Sequence, residues 1–236
     1  MRRIRLRTAP AALFGAMLVA ALVVFLPMRL ALGWFGADTL GLTARAATGS
    51  VWDGRLVDAR FGDLALGDLD AGLSPLALLV GRARIAIDDR AALHGALGIS
   101  RHGRSIDDLT ASLPTGRIFA PLPVTRLDLT GVTVHFRDDD CERAEGRVSA
   151  ALVGEAAGVP LPAAVAGTPR CEGDALVLPL ASQAGTERVT LRVTGNGRYT
   201  AALVLAAPDP IAAQRLASAG FVASPEGYRL SVEGSF

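Results

Sequence analysis

From Leu40 onward apolar and polar residues alternate. A chain with that period places its apolar side chains on a single face only as β-strand. Arg82-Ala83-Arg84-Ile85-Ala86-Ile87-Asp88 alternates residue by residue, as does Val189-Thr190-Leu191-Arg192-Val193. Tyr199, Ala201, Leu203 and Leu205 share one parity, and so do Tyr228, Leu230 and Val232. Gly195-Asn196-Gly197 holds an Asn-Gly pair, favoured in tight hairpins because both central residues need positive φ. Such runs recur about every 8–12 residues, as in all-β domains. The expected fold is mainly β, an antiparallel meander or curved sheet with a few short helices. Aromatics make up only 5% of the chain, so Val, Leu, Ile and Ala must build its core.

Two helices are expected to interrupt the strands. Ser74 to Gly81 offers an N-cap serine, Pro75 at the first helical position and Gly81 as a stop. Asp209 to Ala219 has Ile211, Arg215 and Leu216 at helical spacing and ends before Gly220. The Ala/Gly/Pro-rich segment 154–169 reads as a loop between the cysteines.

The N-terminus obeys a different rule. Arg2, Arg3, Arg5 and Arg7 precede about 21 residues without charge, Thr8 to Met28. Roughly 20 apolar residues span a bilayer as a helix, and flanking arginines stay on the cytoplasmic side. The run exceeds the roughly 7–15 residues of a signal-peptide core, and no small-x-small cleavage site follows it closely. No cysteine lies near it, which excludes a lipoprotein anchor. The expected organisation is a cytoplasmic start (1–7), a transmembrane helix (8–28) that Pro27 kinks or ends, and a periplasmic β-domain (29–236). Trp34 and Phe35 suit the far interface. The predicted location is therefore the bacterial inner membrane.

Cys141 and Cys171 are the only cysteines, and both fall on the exported side. An even count in an oxidising compartment favours a disulfide, with two buried thiols as the alternative. Each opens a Cys-Glu pair that runs toward a strand, which suits two neighbouring strands clipped at their starts.

Function classes narrow by exclusion. A net charge of +1 without a basic stripe argues against nucleic acid. There is no nucleophile elbow, P-loop, dinucleotide fingerprint or zinc motif, so no catalytic, cofactor or metal residue is predicted. His94 and His135 fall in strand runs and His102 in a loop. Asp138-Asp139-Asp140 lacks the spacing of a calcium loop and reads as a turn. Acid pairs serving a periplasmic hydrolase would be invisible to motif search.

The sharpest motif is Gly49-Ser50-Val51-Trp52-Asp53-Gly54. It reads as a strand ending in a buried Trp52, an Asp-Gly turn, and a second strand from Arg55. With the basic start, the membrane run, the Leu73-to-Gly81 segment, the two cysteines and the ending Glu226-Gly227-Tyr228-Arg229-Leu230-Ser231-Val232-Glu233-Gly234, the chain resembles the type II secretion system protein N family. It departs at Asp70-Ala71-Gly72, where a tryptophan is expected. The resemblance implies an accessory inner-membrane subunit, not an enzyme, that works through other inner-membrane and periplasmic components of the machinery. Its structural positions are Gly49, Val51, Trp52, Gly54, Pro75 and Gly81. An alternative is an AsmA-like periplasmic protein that holds or transfers lipid in an apolar β trough.

The topology makes a direct prediction. Alkaline phosphatase fused after the last residue should be active in intact cells, and β-galactosidase at the same point inactive. The reverse pattern would place the domain in the cytoplasm.

Overall fold

The computed structural model describes residues 10–34, 42–62, 64–89, 93–116, 118–207 and 209–235. The four N-terminal arginines, Thr8 and Phe35 lie outside the described residues. Two helices come first, α1 (Pro10–Val24) and α2 (Met28–Trp34). The first strands are β1 (Leu42–Thr43), β2 (Ala46–Gly49), β3 (Gly54–Phe61) and β4 (Leu64–Leu73), followed by α3 (Pro75–Leu79). The middle strands are β5 (Ala83–Asp89), β6 (Leu93–Ser100), β7 (Gly103–Pro114), β8 (Val124–Arg137) and β9 (Asp140–Leu152). Then come β10 (Glu155–Ala156), β11 (Val159–Pro160), β12 (Ala164–Gly167), β13 (Arg170–Glu172) and β14 (Ala175–Ala181). β15 (Glu187–Thr194), β16 (Arg198–Leu205), α4 (Pro210–Ser218), β17 (Val222–Ser224) and β18 (Gly227–Ser235) complete the order.

Among the described residues 16 strands form one antiparallel sheet, in the order β1-β3-β4-β5-β6-β7-β8-β9-β12-β14-β15-β16-β18-β17. β2 pairs with β3, β13 with β14, and β10 with β11 as a separate hairpin. Nearly every neighbour is the next strand in sequence, the meander that the alternation predicts. Parity carries across the ladder. Leu180 faces Val189, Val189 faces Leu203, and Leu203 faces Leu230. One step along, Leu178, Leu191, Ala201 and Val232 form a parallel row. α4 covers this face with Ala212 and Leu216, its N-cap Asp209 accepting from Ala212 N at 2.7 Å. A second core lies at the other end of the sheet, where α2 lays Met28 and Ala31 against Val51, Leu56, Ala59, Leu69 and Ala71.

Several expectations are corrected. Segment 154–169 is not a loop: β12 fills the slot between β9 and β14, and Val165 is buried. The alternation Ala164-Val165-Ala166 was hidden by its glycines and prolines. In α4, Ile211 points to solvent, and Ala212 with Leu216 makes the buried face. The N-terminal run is not one helix to Met28. Pro27 has no N–H to donate and disfavours helix at Leu26, so α1 ends at Val24 and Met28 becomes a core residue. Among the described residues no helix is long and apolar enough to cross a membrane.

Cys141 and Cys171 form a disulfide with their Cα atoms 5.3 Å apart. It clips β9 to β13, rather than to the start of β14, and Cys141 N donates to Gly173 O at 3.1 Å beside it. Closing a loop of about 30 residues contributes roughly 3.6 kcal/mol in the chain-entropy model. Cys141→Ser/Cys171→Ser should lose stability of that order, read as a lower denaturant midpoint. An unchanged midpoint would show that the sheet holds β13 without the bond.

Candidate functional site

The Gly49–Gly54 motif is where three distant segments meet. β2 ends at Gly49, whose φ of +82° suits glycine. Ser50 N donates to Asp53 O at 3.0 Å and Asp53 N to Ser50 O at 3.2 Å, which closes the turn. Val51 N donates to Leu26 O, and Leu73 N donates to Val51 O, each at 2.9 Å. Residue 51 thus joins the corner after α1 to the end of β4. The turn pairs at Ser50 with Pro27 as well.

Trp52 lies in this turn and is half-buried, not a core residue at a strand end. Its Nε1–H donates to Val23 O at 2.9 Å. That carbonyl is the one that residue 27 would satisfy in a continued helix, and Pro27 cannot. Leu26 N reaches it only at 3.4 Å, and the indole adds the shorter bond. In the segment Asp70-Ala71-Gly72, where the resemblance leads one to expect a tryptophan, a Cβ at Gly72 would lie 2.5 Å from Trp52 O. Only glycine lets β4 come this close. Asp70 instead pairs with Arg55, Nε to Oδ1 2.8 Å.

α3 starts two residues beyond Leu73. Ser74 Oγ accepts from Ala77 N at 3.4 Å, Pro75 opens the helix and Gly81 follows it with φ +73°. Its exterior carries exposed Leu76, Leu78 and Val80. Beyond it a groove of about 910 Å³ runs along the strand ends of β5 to β8. Arg82, Arg84, Arg101, Arg104 and Arg137 line it with Val80 and Ile99. This lining differs from the apolar trough of the AsmA-like alternative.

Charges in the groove divide into paired and free. Asp107 Oδ1 lies 2.8 Å from His135 Nε2, and its Oδ2 lies 3.7 Å from Arg84. Asp138 lies 3.4 Å from His102 Nδ1, and Glu142 lies 3.3 Å from Arg137. Arg104 donates to Gly195 O at 3.2 Å. Arg82 and Arg101 have no such partner among the described residues. Nearby, the hydrogen bond from Arg143 holds the Glu145 carboxyl below its usual range, and the same bond raises the Arg143 guanidinium. His94 lies apart, on β6 opposite Asp88. No group of three His, Cys, Asp or Glu side chains among the described residues is placed to hold a metal ion.

The structure therefore brings Gly49, Val51, Trp52 and Gly54 together with Leu26 and Leu73, and sets Pro75 at the start of the neighbouring α3 and Gly81 just beyond its end. Sequence reasoning missed Leu26 and Leu73, which bond through backbone only. It also missed the arginine groove, whose members come from three separate turns and the strand ends beside them. The sequence model of the family described as type II secretion system (T2SS), protein N, matches residues 40–231. No curated protein and no solved structure matches the chain.

The junction predicts a graded response at Trp52. Trp52→Phe removes the indole donor and part of the ring, and loss of the hydrogen bond alone should cost about 0.5–1.5 kcal/mol. Trp52→Ala should cost more, yet less than the roughly 3–5 kcal/mol of a fully buried aromatic. Thermal melts of the two variants in detergent check the order; equal melting points would remove the packing role.

Proposed function

The chain belongs to the type II secretion system protein N family, and we propose that it is an accessory subunit of that machinery, held in the inner membrane and acting by contact. Family membership implies association with other type II secretion components. The finer reading is that α1 anchors the chain, with the N-terminus cytoplasmic and the β-domain periplasmic. The observation that carries the anchor is the surface of α1: Leu13, Phe14, Met17, Leu18, Leu22 and Val23 are all exposed. A helix apolar on every side needs a buried or lipid environment. Its 15 residues rise about 22 Å. The uncharged Phe25 and Leu26 that follow it add length toward the roughly 30 Å of hydrocarbon.

Action by binding, without chemistry of its own, fits the placement of the titratable groups. His102 and His135 each face a carboxylate of the same sheet end, where they tie turns and strands together. Tethering to the membrane raises the effective concentration of a weak partner there. Replacing His94, His102 and His135 together with Gln should leave secretion unchanged. Removing α1 while keeping export should impair it, and crosslinking in intact membranes should capture other secretion subunits. A folded triple variant that abolishes secretion would overturn the binding-only reading.

A further inference from the structure

The end of the sheet next to α1 differs from the rest of the surface. Backbone bonds from Val51 to Leu26 and from Leu73 to Val51 hold the end of β4 against the end of α1. α3 follows at once, and Ser74 N donates to Arg84 O at 2.8 Å, which seats it on the start of β5. Ala83 faces Ile99 in the next ladder step, just before the β6–β7 turn that carries Arg101. Strands are spaced about 4.8 Å apart, so this rim reaches outward from α1 by roughly two such steps. Along it, Leu76 is 75% exposed, Val80 72% and Ile99 56%. Arg82 and Arg101 stand among them, exposed and without an ion-pair partner among the described residues.

We propose that this rim lies on the bilayer that holds α1, with Leu76, Val80 and Ile99 entering the interface and Arg82 and Arg101 meeting anionic headgroup phosphates. The inference rests on the anchor reading above. Two observations select lipid as the occupant. The rim is continuous with the end of an apolar helix whose side chains are exposed on all sides. Its chemistry also pairs short apolar side chains with unpaired guanidiniums, the combination that suits the headgroup boundary. Arginine binds phosphate through a planar fork of donors, and its stem accompanies neighbouring apolar groups. Farther from α1 the same end of the sheet carries Asp138 and Asp139 in the β8–β9 turn and Asp174 beyond, with Asp138 3.4 Å from His102 and Asp174 3.2 Å from Arg192. A domain resting on its near rim would lift those carboxylates away from anionic lipid. The consequence is a fixed tilt of the β-domain rather than free swinging on a tether.

The test uses the full chain in vesicles of phosphatidylethanolamine and phosphatidylglycerol. An environment-sensitive fluorophore is placed at Val80→Cys, at Ile99→Cys, and, as a control at the opposite sheet end, at Gln183→Cys. Flotation reports the anchor separately. The expected result is that the chain floats, that labels at 80 and 99 shift to the blue and are quenched by spin-labelled acyl chains, and that the label at 183 does neither. Arg82→Gln/Arg101→Gln, or neutral phosphatidylcholine in place of phosphatidylglycerol, should weaken the quenching. A chain that floats with all three labels equally solvated would overturn the rim contact and leave the anchor standing. A chain that fails to float would overturn the anchor and this inference with it. Labels at 80 and 99 that are solvated in vesicles yet shielded in native membranes would assign the rim to a protein partner instead. Quenching indifferent to headgroup and arginine alike would overturn the phosphate contact.

Discussion

Register across one continuous ladder is the constraint on which the rest of this structure depends. Each strand is bonded mainly to its sequence neighbours, so the parity of every strand has to match that of the next. A slip of one residue turns an entire apolar set to the opposite face. In the rows through Leu203 and Ala201 such a slip would carry β16 out of contact with β15 and β18 together. The end of β16 shows how the register is held. Tyr199 lies opposite Gly234, and a Cβ there would fall 2.5 Å from the Tyr199 hydroxyl oxygen. The ring therefore crosses β18, meets Phe119 edge-on with centroids 5.6 Å apart, and donates its hydroxyl to Ile118 O at 2.7 Å. One aromatic in an aromatic-poor chain fixes strand register and fastens the loop before β8 over the core.

Much of this was legible because period-two patterning reports a physical preference directly. The shared parity of Tyr199, Ala201, Leu203 and Leu205 is the buried face of β16. The caps at Ser74 and Asp209 act through their own side-chain oxygens, so local sequence sufficed to place α3 and α4. The Asp138-Asp139 turn was readable for the same reason, and both residues take positive φ. The disulfide followed from an even cysteine count and the expected exported location. What escaped was whatever depends on backbone alone or on distant segments. β12 is too short and too rich in Ala and Gly to declare itself, and only its neighbours β9 and β14 make it a strand. Trp52 advertised packing, but its polar edge and its place in a turn depend on Pro27, 25 positions earlier in the chain.

That pairing of Pro27 with Trp52 explains why the Gly49–Gly54 segment combines small and large residues. Proline ends the helix and leaves the Val23 carbonyl with only a 3.4 Å bond from Leu26 N. The tryptophan adds a shorter bond from the side and fills the corner. Glycines at 49, 54 and 72 then keep space for a turn that is wedged among α2, β3 and β4. At Gly54 a Cβ would meet Ser50 O at 2.8 Å and the Met28 side chain at 3.1 Å. The motif is a device for joining a helix end to a sheet edge, and its residue types are the ones that joint requires.

The two cores then differ in how they are secured. The core under α4 gathers side chains from β8 through β18 and from two loops, with Leu205 and Leu216 fully buried. The core beside α1 is smaller and is closed by the short α2, which returns to the sheet from the Pro27 corner. Local opening costs least where few apolar groups are buried. By that criterion the end of the sheet nearest α1 is the easier one to deform, and the end carrying α4 is the stiffer. At that more deformable end Trp52, Val51 and Leu73 hold the domain to its helix through the bonds to Val23 O, to Leu26 O and to Val51 O.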